Sequence, residues 1–459
     1  MSKNTSTNGT VLMVCFIAAL AGLLFGLDVA FVNGSLDYIA RDFSLTKEQS
    51  QQVAGWLLAG AAIGALFSGK LSSVFGRKKV LLLSAFIFTF FTLIGVFANS
   101  IQVLLWARLI IGIAVGIASF VAPLYLSEIA PYKMRGGLIA MYQFMITVGI
   151  FLMFVSNAAL MYTESWRIMM SVLIIPSSIM LIGTFTLPES PRWLALKGKL
   201  TEAESILGKI RNTQEEVNFE LEEIKATIAH TKHGLSLLRQ PFFIKVIFLG
   251  IALQMLQQFC GMNAFMYYSG KIFATAGISN PSVATIVVGL VNVLTTILAI
   301  KYVDKFGRKP ILYFGLILLV VSCTAVSYLF NSDHSTQIAH YALVGFSLLF
   351  IFAFAISLGP IIWILCAEIY PLAGRDFGVT VTTMTNWICN TIIGSFTLTW
   401  FTNYGESKTF LGFGIVCFIG IFLVKFFTPE TKDVPLEEIE ANLKAGGPLK
   451  LIGYRTKQL

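Results

Sequence analysis

The sequence predicts an all-α membrane protein with twelve transmembrane helices in two six-helix bundles, joined by an intracellular helical linker. Three observations carry that expectation. Of 459 residues, 56% are hydrophobic and only 12% are charged, against about 25% charge in an ordinary soluble domain. The apolar residues fall in twelve continuous runs near the roughly 20 residues that cross a bilayer. Polar loop motifs that follow particular runs in the first half recur after the corresponding runs of the second.

The runs lie at 11–34, 52–72, 80–98, 101–123, 138–160 and 166–187, then at 243–268, 283–303, 310–330, 341–366, 379–401 and 409–427. They are continuous rather than alternating, which argues against a transmembrane β-barrel. The first is too long for a signal-peptide core and more spans follow, so it is expected to be retained. One long polar insert, 188–241, separates the sixth run from the seventh. Within it Leu207, Ile210, Val217, Leu221 and Ile224 recur at three-and-four spacing, with Glu and Lys on the other faces. That is an amphipathic helical pattern. The expected division is a first bundle over 1–187, a linker over 188–241, a second bundle over 242–428 and a tail over 429–459.

The net charge of +9 resides largely in short loops between runs. This argues for a membrane topology signal rather than nucleic-acid binding. With the N-terminus inside, inner loops carry eleven Lys and Arg, from Lys70 to Arg375, and outer ones five: Arg41, Lys47, Arg167, Lys271 and Lys408. Both termini and the linker are therefore expected in the cytoplasm, with the bilayer as the constant partner. The six cysteines all lie in apolar runs, without metal-ligand spacing, so neither a metal nor a cofactor is expected. No nucleotide-binding loop is present, which argues against ATP as the driving force.

The halves repeat each other. FGRKKV (75–80) follows the second run and FGRKPI (306–311) the eighth. After the fourth run comes SEIAPYKMRG, with Glu128, Pro131 and Arg135; after the tenth comes AEIYPLAGRD, with Glu368, Pro371 and Arg375. PESPRW (188–193) follows the sixth, and PETK (429–432) the twelfth. Parallel repeats of this kind place a substrate site near the midplane, between two units that rock about it.

Two charges stand deep inside runs of the first half. Asp28 lies seventeen residues beyond Val11, or about 25 Å at ~1.5 Å per residue. Arg108 lies seven residues beyond Ile101 on a helix that descends from the opposite side, or ~10 Å. The depths match, so the two can meet. Neither is stable alone in hydrocarbon, and intramembrane ionisable residues are functional candidates by default. A deprotonated Asp28 would hold Arg108 and a protonated one would release it. The bland alternative is an acid at the membrane surface.

The doubled G-R-K loops, PESPRW, QQFCGMN (257–263), the doubled Glu–Pro–Arg loops and PETK, in this order, resemble the sugar-porter branch of the major facilitator superfamily. The resemblance runs from Val11 to about Leu443. AALAGLLFGLD, APLYLSEIAP and GRDFG bring the chain nearest the bacterial proton-coupled galactose symporters, then the arabinose ones. The resemblance implies the major facilitator fold and import of a monosaccharide with protons by alternating access. The sugar is expected to be galactose or a related hexose, with glucose or arabinose as alternatives. It implies a multi-pass protein of the bacterial inner membrane that works as a monomer and is not an enzyme. A facilitative uniporter of the same fold is the main alternative. Asp28 speaks against it, because the facilitative animal carriers have an uncharged residue there. A sugar-sensing receptor would need a larger tail, and a drug–proton antiporter fits the amide-rich QQFCGMN stretch poorly.

The same resemblance assigns Asp28 to the proton, with Arg108 its expected partner. It gives Gln257, Gln258 and Asn263 direct contacts with sugar hydroxyls, and Gln143 and Asn292 further ones. Trp363 matches a ring-stacking tryptophan, and Asn386 and Trp387 another part of the pocket. Gln254 and Asn390 are weaker candidates, one helical turn from these. Uncharged amides both donate and accept, which suits hydroxyls. They are open to a second reading as interhelical glue, worth about 0.6 kcal/mol each. Phe25, Tyr267 and Tyr268 are candidate gate residues, and Gly359 with Pro360 marks either a moving break or a fixed kink in the tenth run.

The loop charges form a second set. Arg77, Glu128, Arg135, Glu189, Arg192, Asp304, Arg308, Glu368, Arg375 and Glu430 are expected in a cytoplasmic network whose ion pairs exist only when the inner side is closed. Positive-inside anchoring alone would explain the arginines but not the matched glutamates. The first half departs from the family loop: Ser73 stands three residues before Gly76, where the second half keeps Asp304 before Gly307.

Overall fold

The computed structural model describes residues 9–131, 135–211, 213–230, 237, 239–331, 337–371, 374–432, 434 and 436–453. The first half contains α1 (Gly9–Asp42), α2 (Lys47–Phe75), α3 (Arg77–Val96), α4 (Ile101–Ile129), α5 (Arg135–Leu160), α6 (Trp166–Ser171) and α7 (Ile174–Thr186). The linker contains α8 (Pro191–Leu196), α9 (Leu200–Ile210) and α10 (Gln214–His230). The second half contains α11 (Pro241–Phe259), α12 (Met262–Thr275), α13 (Pro281–Phe306), α14 (Arg308–Asn331), α15 (Gln337–Ile356), α16 (Leu358–Glu368) and α17 (Arg375–Phe426), followed by α18 (Leu436–Lys444).

Eleven helical stretches among the described residues are long and apolar enough to span a membrane. The twelfth crossing is inside α17. At 52 residues, α17 would be about 78 Å long if straight, more than twice a bilayer's ~30 Å core. It is not straight: Gly405 has φ 80° and ψ 161°, a conformation that glycine adopts without the Cβ penalty. The break divides α17 where the gap between the last two apolar runs falls.

Buried hydroxyls return to their own helices, as a medium without water demands. Thr92, Thr184 and Thr397 each donate to the carbonyl four residues back. Within the first half α2 packs along α4, and α1 along α5; in the second, α14 packs on α15 and α17, and α11 on α17. Across the halves α2 faces α17, α5 faces α13, and α1 meets α12.

The α2–α4 contact depends on the absence of side chains. Gly60 and Gly64 on α2 face Gly112 and Gly116 on α4, a small-residue pattern that brings membrane helices into close approach. A Cβ on Gly112 would overlap the Leu57 carbonyl oxygen, and one on Gly116 that of Ala61. Gly112→Val is therefore expected to lower thermal stability in detergent, since overpacking costs about 1–3 kcal/mol. An unchanged melting temperature would show that the helices separate without cost.

The linker differs from one amphipathic stripe. It holds two long helices, because Arg211 is extended (φ −112°, ψ 157°) and ends α9. Leu207, Ile210, Val217, Leu221 and Ile224 are all buried. Arg211 then turns inward. Its Nε donates to Glu220 Oε2 at 2.6 Å and its Nη1 to the Ile129 carbonyl, at the end of α4, at 2.9 Å.

Candidate functional site

Depth matching holds for the two buried charges. Arg108 Nη1 lies 2.7 Å from Asp28 Oδ1, and both side chains are 1% exposed. Arg108 Nε donates to the Val53 carbonyl at 2.9 Å, so the guanidinium joins α1, α2 and α4. Its carbon sits 5.6 Å from the centre of the Phe31 ring. Asp28 Oδ2 has no hydrogen-bond partner among the described residues. One carboxylate oxygen is thus engaged and the other is open to a proton. Pairing lowers the cost of burying both charges, and loss of either partner would expose that cost.

The amide candidates of the second half meet one another. The helix breaks at Cys260 and Gly261, between α11 and α12. Gln257 and Gln258 occupy the last turn before the break, and Asn263 the first turn after it. Gln257 Nε2 donates to the carbonyls of Leu358 (2.7 Å) and Gly359 (3.1 Å). Its Oε1 accepts from Asn386 Nδ2 at 2.8 Å and from Gln258 Nε2 at 3.4 Å. Asn263 Nδ2 donates to Gln258 Oε1 at 2.6 Å. Gln254 is fully buried behind them, where Oε1 accepts from Asn386 Nδ2 at 2.7 Å.

Three aromatic residues join this cluster to its surroundings. Tyr267 donates its hydroxyl to Asn390 Oδ1 at 3.1 Å. Tyr268 donates to the Gly394 carbonyl at 2.7 Å. Trp387 spans the halves: its ring meets Phe25 edge-on at 5.1 Å, and its Nε1 donates to Ser119 Oγ at 3.2 Å. Gln143 and Trp363 are half-buried and Asn292 is buried. None of these three side chains hydrogen-bonds to the amide cluster among the described residues.

The break in the tenth span lies earlier than Gly359 and Pro360. It is at Ser357 (φ −122°, ψ −90°), and both residues stand in the first turn of α16. Proline is tolerated there because its missing N–H has no intrahelical partner. The Leu358 and Gly359 carbonyls are the ones that Gln257 takes up, so the amide cluster is tied to this break.

The loop charges form two matching clusters. Arg77 grips Glu128 through Nε and Nη2, both at 2.8 Å. Glu189 Oε1 accepts the backbone N–H groups of Arg77 (2.9 Å) and Lys78 (3.1 Å), which open α3. In the second half Arg308 holds Glu368 through Nη2 at 2.8 Å, and Glu430 accepts from Arg308 N (3.0 Å) and Lys309 N (2.9 Å) at the start of α14. A carboxylate at a helix N-terminus meets unpaired donors and the positive end of the dipole. Each of these bonds joins helices of one half, or one half to the linker or tail segment that adjoins it. Arg375 begins α17 and Arg192 lies in α8. The side chains of Arg135 and Asp304 lie outside the described residues.

Sequence reasoning missed the polar groups that cross between the halves outside the amide cluster. Asn33 donates to Met266 O (2.9 Å) and Ser269 Oγ (2.8 Å). Gln51 donates to Thr399 Oγ1 at 2.8 Å. Asn33 carried a signal, as an amide five residues beyond Asp28 in the same apolar run. Gln51 stood just outside the assigned second run and carried none.

Two pseudo-repeated helical halves, with a buried ion pair in one and an amide cluster in the other, define a multi-pass membrane transporter. The profile of the family described as "Sugar (and other) transporter" matches residues 14–443. The chain belongs to that family, whose members are not enzymes. It is 44% identical to the galactose-proton symporter of Escherichia coli over 455 residues, 98% of each chain. It is 42% identical to the arabinose-proton symporter of the same organism over 451 residues, 96% of this chain and 95% of the relative. The solved structure of the proton:xylose symporter XylE with 6-bromo-6-deoxy-D-glucose superposes with a TM-score of 0.81 at 30% identity, covering 95% of this chain and 99% of that one. The fold is that of the major facilitator superfamily.

Proposed function

We propose that this protein imports a monosaccharide together with protons by alternating access, with galactose or a related hexose as the sugar. The observation that carries the reading is the buried Asp28–Arg108 pair with its one unpartnered carboxylate oxygen among the described residues. Ionised Asp28 holds Arg108 and ties α1 to α4. Protonation removes the charge that makes the tie. A proton thereby biases a two-state protein, because it binds the two arrangements with different affinity.

Gln257, Gln258, Asn263, Asn386 and Trp387 are the sugar-facing residues in this reading, with Gln143, Asn292 and Trp363 completing the pocket. Gln254 and Asn390 act behind them, and Phe25, Tyr267 and Tyr268 act as gates. In the cycle, residues 1–187 and 242–428 move as two bodies about the site, with 188–241 as linker and 429–459 as tail. The protein works as a monomer in a bacterial inner membrane, with both termini in the cytoplasm.

The test is proton flux in reconstituted vesicles on addition of galactose, glucose, arabinose or xylose. Sugar entry accompanied by alkalinisation of the medium is expected, and the sugar giving the largest flux identifies the substrate. Sugar entry without proton movement would leave a facilitative uniporter.

A further inference from the structure

Under the transport reading, on which this inference rests, the face opposite the linker must open and close in every cycle. Gln51 lies in the second turn of α2 and is 4% exposed. It bonds twice to one residue of the other half. Its Nε2 donates to Thr399 Oγ1 at 2.8 Å, and its Oε1 accepts from the Thr399 backbone N–H at 3.1 Å. Asn33, towards the end of α1, donates to both Met266 O and Ser269 Oγ on α12. The linker begins at the other end of α2, where Glu189 caps α3 just beyond Phe75. Twenty-four residues of α2 separate Gln51 from that end, or about 36 Å.

We infer that Gln51 is a positioning residue that latches the face opposite the linker shut. The contrast with the linker face supports this. There the Arg77–Glu128 and Arg308–Glu368 pairs each join helices of one half, whereas here neutral amides bridge the halves. A neutral hydrogen bond changes an equilibrium by a factor of about 2 to 10. Such a latch favours closure without locking it, which a cycle passing through both states needs.

The reporter is Ser395→Cys. Ser395 lies one turn before Thr399, sits against Gly55 of α2 and is only partly exposed, so parting the halves uncovers it further. The six native cysteines are buried, and protein without the reporter gives the background. The full chain is reconstituted without sugar or a proton gradient and treated with a membrane-impermeant maleimide. Gln51→Ala is expected to speed labelling about two- to tenfold. Thr399→Val removes only the hydroxyl and spares the backbone bond, so it should speed labelling less. The double variant should be no faster than Gln51→Ala alone. An unchanged rate in Gln51→Ala would overturn the latch, and multiplying effects would overturn the pairing. Because neither sugar nor a proton gradient enters the assay, its outcome is independent of whether the proton or the sugar assignment holds.

Discussion

Asp28→Asn is expected to abolish accumulation of sugar against a gradient while leaving counterflow exchange across the membrane measurable. Asparagine keeps the shape and one oxygen that can accept from Arg108 Nη1, now 2.7 Å away. It cannot bind and release a proton, so the step that links the proton gradient to the sugar disappears. Alternation itself persists, since it depends on the packing of the halves. The substitution also leaves Arg108 buried without a counter-charge, and breaking a buried pair costs about 3–5 kcal/mol. A lower melting temperature should accompany the loss of coupling. Arg108→Ala would leave the opposite charge stranded and lose comparable stability, yet keep the titrating group. The decisive comparison is uphill uptake against exchange, normalised to folded protein. Unchanged accumulation in Asp28→Asn would end the proton-site assignment.

Much of this arrangement was legible in the sequence, and the exceptions have physical causes. Counting residues along two antiparallel helices brought Asp28 and Arg108 to one depth, because helical rise is fixed. The repeated loops put Arg77, Glu128, Arg308 and Glu368 into one network without saying which pairs with which, and the two pairs that form match because equal spacing on equivalent helices gives equal geometry. Counting could not show that Glu189 and Glu430, beyond the last span of each half, cap the helices that Arg77 and Arg308 open. Local conformation was equally hidden. Gly359 and Pro360 stood out in the sequence, yet the chain breaks at Ser357, since proline is at ease in a first helical turn. Nothing in the spacing of the linker marked Arg211. Its role comes from α4, whose last carbonyls it meets only after the chain has folded.

Gln258→Ala is expected to weaken sugar binding strongly while leaving stability nearly unchanged, and Gln257→Ala should lower both. The difference follows from what each amide already does. Gln258 accepts one short bond from Asn263 and makes a long one, 3.4 Å, to Gln257. Its truncation frees Asn263, which is only half-buried, so the folded protein loses little. A sugar hydroxyl bound there without its partner is left unsatisfied, at about 1–3 kcal/mol, or roughly 5- to 150-fold in affinity. Gln257 instead holds the Leu358 and Gly359 carbonyls at the helix break and accepts from Asn386. Removing it loosens α16 and frees Asn386, so thermal stability should fall together with affinity. Equilibrium sugar binding and melting temperature, measured on the same purified variants, separate the two roles. A normal binding constant in Gln258→Ala would remove that residue from the sugar site, and a network that serves only as interhelical glue would show the stability loss without the loss of affinity.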